Sequence, residues 1–126
     1  MGHIGGWIGP MMPYKVSTVR KFTLHKPGVY VLWVKREDGN AEMFYVGITT
    51  DLRQRLLEHL DEHETNECIR KHVSKWDCAF SYAFVEDSGD RLGIGQYIYN
   101  HYKPSCSIVA PEGNPIPILL PKPPEW

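Results

Sequence analysis

Residues 28–47 read GVYVLWVKREDGNAEMFYVG, and the fold turns on them. Val29 to Lys35 is a β-branched and aromatic run, Ala41 to Thr49 is a second, and Asp38-Gly39 lies between them. Asp-Gly flanked by two such runs is the strongest short-range hairpin signal, here with a two-residue type I′ turn. That turn makes paired positions sum to 77, so Glu37 faces Asn40, Leu32 faces Tyr45 and Tyr30 faces Gly47. Side chains alternate along a strand, so Tyr30, Leu32, Tyr45 and Gly47 share one face. The two phenols are diagonal neighbours, with Gly47 leaving space beside Tyr30. Cross-strand tyrosines are ordinarily packing, but two phenols beside a gap can also form a site.

Upstream, Lys26-Pro27-Gly28 is a turn signal, Val16 to Leu24 reads as a short strand or turn, and residues 1–13 as a loose leader. Downstream, Thr50 or Asp51 caps a helix through Asp61 with a buried Leu52/Leu56/Leu60 stripe. Arg55 and His59 lie off that stripe on one face, where such residues are commonly solvated. A second helix spans Asn66 to Lys75, burying Ile69, Val73 and Trp76. Asp77 to Glu86 is a strand with Cys78, Phe80, Tyr82 and Phe84 on one face. Ser88 caps a third helix, Gly89 to Tyr102, which Pro104 stops.

From Ile108 onward six of nineteen residues are proline, an extended tail. Its Ile116–Leu120 segment packs on the domain, or its prolines meet a partner. The expectation is an α+β fold: a three-stranded antiparallel sheet with flanking helices in β-β-α-α-β-α order. Residues 1–25 form a leader, 26–107 the domain and 108–126 the tail.

At 126 residues, with 42% hydrophobic and 23% charged side chains, the chain is sized and composed as one globular domain. Its longest strongly apolar stretch, Cys78 to Val85, is far short of the ~20 residues that span a bilayer, so no membrane partner is expected. Three cysteines, an odd count, read as reduced thiols in a cytoplasmic protein. The net charge of −1 hides an asymmetry. Residues 1–36 hold six basic side chains and no acid, and the remainder is net −7, so a polyanion prefers the N-terminal third.

The tripeptides Gly28-Val29-Tyr30 and Tyr45-Val46-Gly47, with Arg55 eight residues after Gly47 and His59 four later, resemble the GIY-YIG endonuclease family. The resemblance covers about residues 26–107. It implies a hydrolase that cuts DNA phosphodiesters with Mg²⁺ or Mn²⁺. By resemblance Tyr30 helps activate the attacking water, and Tyr45 supports it or contacts phosphate. Arg55 stabilises phosphate charge, and His59 positions or deprotonates the tyrosine–water pair. Such chemistry needs positioning and charge stabilisation more than covalent catalysis. Lys21, Lys26, Lys35, Arg36 and Arg53 are the candidate DNA contacts, and the resemblance admits a homodimer.

Two positions depart from the family pattern. In Arg91-Leu92-Gly93-Ile94-Gly95-Gln96-Tyr97 the place of the metal-ligating glutamate is taken by Gly95, and Ser107 stands where an asparagine is expected. Gly95 offers no side-chain oxygen, and hard divalent ions need carboxylates. The alternative reading is therefore a catalytically degenerate module that binds nucleic acid or protein. A separate run, His59, His63, Cys68 and His72, has four metal-capable side chains in two i, i+4 pairs, but the acids between them (Asp61, Glu62, Glu64, Glu67) read as a solvated connection.

Overall fold

The computed structural model describes residues 7–107 and 114–125. Eight elements follow one another: β1 (Ile8–Pro13), α1 (Val16–Phe22), β2 (Gly28–Lys35), β3 (Ala41–Thr49), α2 (Leu52–Leu60), α3 (Glu67–Lys75), β4 (Cys78–Phe84) and α4 (Ser88–Tyr102). The strands form one antiparallel sheet in the order β1-β4-β2-β3.

The sheet has four strands, not the expected three. Part of the expected leader is edge strand β1, pairing Ile8 with Tyr82, Met12 with Phe80 and Pro13 with Ala79 across a register shift. Its prolines fit an edge, where one row of N–H groups is not required by a neighbour. The expected strand or turn at 16–24 is instead helix α1, in which Thr18 accepts from the Lys15 N–H at 3.2 Å. Tertiary burial of Val19 outweighs the weak helix preference of its β-branched residues.

The hairpin departs from expectation at its tip. Arg36, not Glu37, meets Asn40: its N–H donates to the Asn40 carbonyl at 2.9 Å, and its own carbonyl accepts from Gly39 N–H at 2.9 Å. The loop has three residues, with Gly39 at φ +85°, a conformation glycine adopts without a Cβ penalty. A bulge around Phe44 then restores the register, so Leu32 faces Tyr45 and Tyr30 faces Gly47 as expected.

The strands divide two cores. Tyr30, Leu32, Val34, Phe44, Phe80 and Tyr82 face α1, α2 and α3 through Val19, Leu52, Leu56 and Ile69. Val29, Val31, Trp33, Met43 and Val46 face α4 through Ile94 and Ile98. Against this second core lie the tail residues Ile116, Ile118 and Leu120, with the Ile116 N–H on the Gly93 carbonyl at 3.0 Å. The helices start at caps: Asp51 accepts from Gln54 N–H at 3.0 Å, Asn66 from Cys68 N–H at 3.0 Å, and Asp87 rather than Ser88 from Asp90 N–H at 2.8 Å. On α3 the buried residues are Ile69 and His72, while Val73 and Trp76 are half-buried.

Cys68 and Cys106 are joined as a disulfide, and Cys78 is the free, buried thiol. The reading of three reduced thiols fails for two of them, and the cytoplasmic address inferred from it loses that support. Among the described residues no helix is long and apolar enough to cross a membrane.

Candidate active site

Tyr30 enters the site from the third residue of β2, where its ring lies across Gly47 on β3. A Cβ at position 47 would sit 2.2 Å from Tyr30 Cζ and 2.3 Å from its oxygen. The expected open space is therefore filled by the phenol itself, and Gly47 is required by that close approach. Tyr30 is 1% exposed. Tyr45, two pairs further along the hairpin on the same face, is half-buried, with its ring centroid 6.0 Å from that of Tyr30.

His59 comes up from the last turn of α2. The expectation of an exposed imidazole fails, because it is 1% exposed beneath both phenols. The stripe that packs α2 against the sheet is Leu52, Leu56 and His59, with Leu60 only half-buried. Tyr30 Oη and His59 Nε2 are 2.6 Å apart, and His59 Nδ1 lies 3.0 Å from Glu64 Oε2.

Glu64 corrects the expectation of a solvated connection after α2. The turn that sets Glu64 N–H on the Asp61 carbonyl at 3.0 Å folds its side chain inward, where it is 6% exposed. Its other oxygen accepts from Asn66 N–H at 3.0 Å. Sequence reasoning counted Glu64 among surface acids. The available signal was an acid five residues after a histidine, just before a helix cap.

Burial, with Arg55 nearby, lowers the His59 pKa to about 4 against the opposing pull of Glu64. His59 is therefore a neutral imidazole at pH 7, with Nδ1–H donating to Glu64 and Nε2 accepting from Tyr30 O–H. Burial raises the Tyr30 pKa well above its usual value, Tyr45 and Tyr14 add to that, and Arg55 opposes it. Tyr30 is thus a neutral phenol whose proton points at His59. Arg55 is part-exposed on the outer side, with Glu58 3.6 Å away.

The five candidate DNA contacts do not converge. Lys21 and Lys26 are exposed beside α2, the helix that carries Arg55. Arg53 is instead a tie between helices, its guanidinium donating to the carbonyls of Arg20 and Thr23. Lys35 and Arg36 lie at the far end of β2, where Arg36 binds Glu42 at 2.7 Å and covers the Trp76 ring.

The residues around the phenols do not fit a hard divalent ion. Gly95 is buried within α4 and has no donor side chain. Both Glu64 oxygens are already held by His59 and Asn66, and Glu58 is an exposed acid beside Arg55. Among the described residues, the only group of three or more close-set potential ligands is Cys68, His72 and Cys106, elsewhere in the fold. Two sulfurs and an imidazole suit a soft ion, not magnesium. Ser107 occupies the expected asparagine place and accepts from Val46 N–H at 3.2 Å.

Comparison with known proteins agrees with this fold. Two UvrABC system protein C chains, from Malacoplasma penetrans and Finegoldia magna, are each 28% identical to this chain, over 96 and 95 residues. These matches take in 76% and 75% of this chain but 15% of each relative, so the chain spans only that share of their length. The GIY-YIG N-terminal endonuclease domain of UvrC from Thermotoga maritima, bound to its catalytic magnesium, has the same fold. The TM-score is 0.55 at 19% identity, covering 71% of this chain and 96% of that one. A point mutant of that domain bound to its catalytic divalent cation gives 0.52 at 18% identity, covering 72% and 96%. The sequence pattern of the GIY-YIG catalytic domain matches residues 26–105, most of this chain. The chain belongs to the GIY-YIG catalytic-domain family.

Proposed function

We propose that this domain is a DNA endonuclease scaffold in which the proton-handling half of the site is complete and the metal-holding half is absent. The observation that carries this reading is the buried chain Tyr30–His59–Glu64, with bonds of 2.6 and 3.0 Å, beside the part-exposed Tyr45 and Arg55. Arg55 grips the non-bridging oxygens of a phosphodiester through its planar fork. Water attacks phosphorus from the side of the tyrosine pair. As the P–O bond to the leaving strand breaks, the water's proton passes by way of the Tyr45 hydroxyl to the Tyr30 oxygen. Tyr30 gives its own proton to His59 Nε2, Glu64 stabilises the imidazolium that forms, and the leaving alkoxide takes a proton from solvent. A neutral His59 is the state such a transfer requires.

Gly95 favours a second reading for this chain as it stands: DNA is bound and not cut. Plasmid nicking with Mg²⁺ or Mn²⁺ separates the parts. The given chain binds DNA without nicking it, Gly95→Glu nicks and EDTA stops it, and Tyr30→Phe added to Gly95→Glu abolishes the cut. Equal nicking by Gly95→Glu with and without Tyr30→Phe would overturn the role of the relay. Nicking by the given chain would overturn the dependence on residue 95.

A further inference from the structure

The metal-capable run His59, His63, Cys68 and His72 is divided by the tertiary structure. His59 is held by Tyr30 and Glu64, and His63 is exposed beside Glu62. Cys68 and His72, one turn apart on α3, instead meet Cys106 from the loop that follows α4. The ligand-capable atoms of these three residues lie within 4.8 Å of one another. His72 Nδ1 is 3.5 Å from Cys106 Sγ and 3.9 Å from Cys68 Sγ. Tetrahedral zinc, with bonds of ~2.3 Å to sulfur and ~2.05 Å to nitrogen, sets those two ligands about 3.6 Å apart. The imidazole is therefore already at ligand separation from both sulfurs. Only the sulfurs stand closer than ligands do, because they are bonded to each other.

We propose that, once this disulfide is reduced, Cys68, Cys106 and His72 form a zinc site, so that disulfide and metal are alternative states of the same two sulfurs. The surroundings hold the ligands without help from the S–S bond. The His72 ring stacks on Phe44 at 4.7 Å with 13° between planes. Cys106 N–H donates to the Phe44 carbonyl at 2.7 Å, and Asn66 Nδ2 donates to the Cys106 carbonyl at 3.1 Å. His72 and Cys106 are buried, and Cys68 forms the part-exposed side, where a water completes four-coordination. Thiolate and imidazole ligands select zinc over the hard ions of phosphoryl chemistry.

The exchange balances with a dithiol as reductant. The dithiol gives two electrons and two protons and leaves as its own disulfide, and the protein sulfurs become two thiols. Zn²⁺ then displaces both thiol protons. To bind, the His72 ring gives up the bond of Nδ1 to the Cys68 carbonyl at 2.7 Å and carries its proton on Nε2. The Arg36 guanidinium, now 3.4 Å from Nε2, turns aside, so that the Nδ1 lone pair is free for the metal. The bound metal joins α3 to the loop carrying Ser107, whose hydroxyl accepts from Val46 N–H beside Tyr45.

The test uses the full chain, reduced with a dithiol, freed of reductant under nitrogen and titrated with Co²⁺ and then Zn²⁺. One cobalt per chain binds with the strong visible bands of tetrahedral coordination and with thiolate-to-cobalt charge transfer, and Zn²⁺ displaces it. Cys106→Ser and His72→Ala lose this binding, Cys78→Ser keeps it, and the oxidised chain shows none. If the reduced chain unfolds without metal, Zn²⁺ restores its far-ultraviolet dichroism, but not that of Cys106→Ser. The proposal is overturned by a reduced chain that shows no thiolate charge transfer and gains no folding from Zn²⁺. Undiminished uptake by Cys106→Ser, or equal uptake by the oxidised chain, overturns it too. None of these readouts depends on nuclease activity.

Discussion

His59 has its pKa pushed down to about 4, mostly by burial, from an ordinary 6.5. Between those values the native chain holds fewer protons than the unfolded chain, so acid favours unfolding. The stability tied to this group is intact above pH 6.5 and is lost as pH falls toward 4, by at most about 3 kcal/mol. Urea melts at steps between pH 7 and pH 4 read this directly. The His59→Gln variant, which cannot take up that proton, shows a slope flatter by about one proton across the window. Identical slopes in the two proteins would mean that native His59 takes up its proton over the same pH range as in the unfolded chain, without the downward shift. Glu64→Ala leaves the buried Nδ1–H without its acceptor and costs about 1–3 kcal/mol in the same melts at pH 7.

The hairpin depends on two coupled irregularities. The loop at Glu37-Asp38-Gly39 shifts the register by one residue, and the bulge around Phe44 shifts it back. Phe44 and Tyr45 consequently pack in the same core, although they are adjacent in sequence. Gly47→Ala places a methyl inside the Tyr30 ring, so the ring must leave its seat on β3 and its bond to His59. The expected loss is about 1–3 kcal/mol in a urea melt, together with a changed tyrosine near-ultraviolet dichroism. On the opposite face, a Cβ at Gly93 would lie 2.5 Å from the Ile116 side chain and 2.6 Å from the Asn114 carbonyl. Gly93→Ala therefore lifts the 114–120 segment from α4. Limited proteolysis detects this as faster cleavage of the tail while the 26–105 region stays intact, and unchanged cleavage would show that the tail can shift without detaching.

Across the whole molecule the candidate DNA contacts divide between the two ends of β2. The Lys26 and Leu24 carbonyls accept from Leu52 and Arg53 N–H at 2.9 and 3.2 Å, which holds Lys26 and neighbouring α1 beside the helix that carries Arg55. Lys35 lies at the other end of β2, its N–H on the Asp77 carbonyl at 2.9 Å. Each phosphate contact steepens the fall of log affinity with log salt by about 0.9 on duplex DNA. Lys21→Ala and Lys26→Ala should each reduce that slope by about one contact, and Lys35→Ala should leave it unchanged. Binding isotherms at several salt concentrations check this. An equal effect at Lys35 would place DNA along the full hairpin instead of across Arg55.

The features legible in the sequence were those decided by close neighbours along the chain. The hairpin at Asp-Gly and the starts of α2 and α3 at Asp51 and Asn66 follow from local residues, as does the spacing of Tyr30, Tyr45, Arg55 and His59 on one hairpin and one helix. The Tyr30–Gly47 pairing, by contrast, matches the two-residue reading only because the bulge around Phe44 cancels the three-residue loop. The absence of a side-chain ligand at Gly95 was also plain from the residue type. Only the tertiary structure decided what depends on distant partners. β1 exists because β4, far along the chain, offers it a strand edge, and Cys106 meets Cys68 across 38 residues. Glu64 lies near His59 in sequence, but its acid is drawn inward because a buried imidazole needs an acceptor on its second nitrogen. That requirement arises from burial, which no periodicity of α2 alone expresses, since His59 joins the apolar stripe only once two tyrosines, one from β2 and one from β3, lie over it.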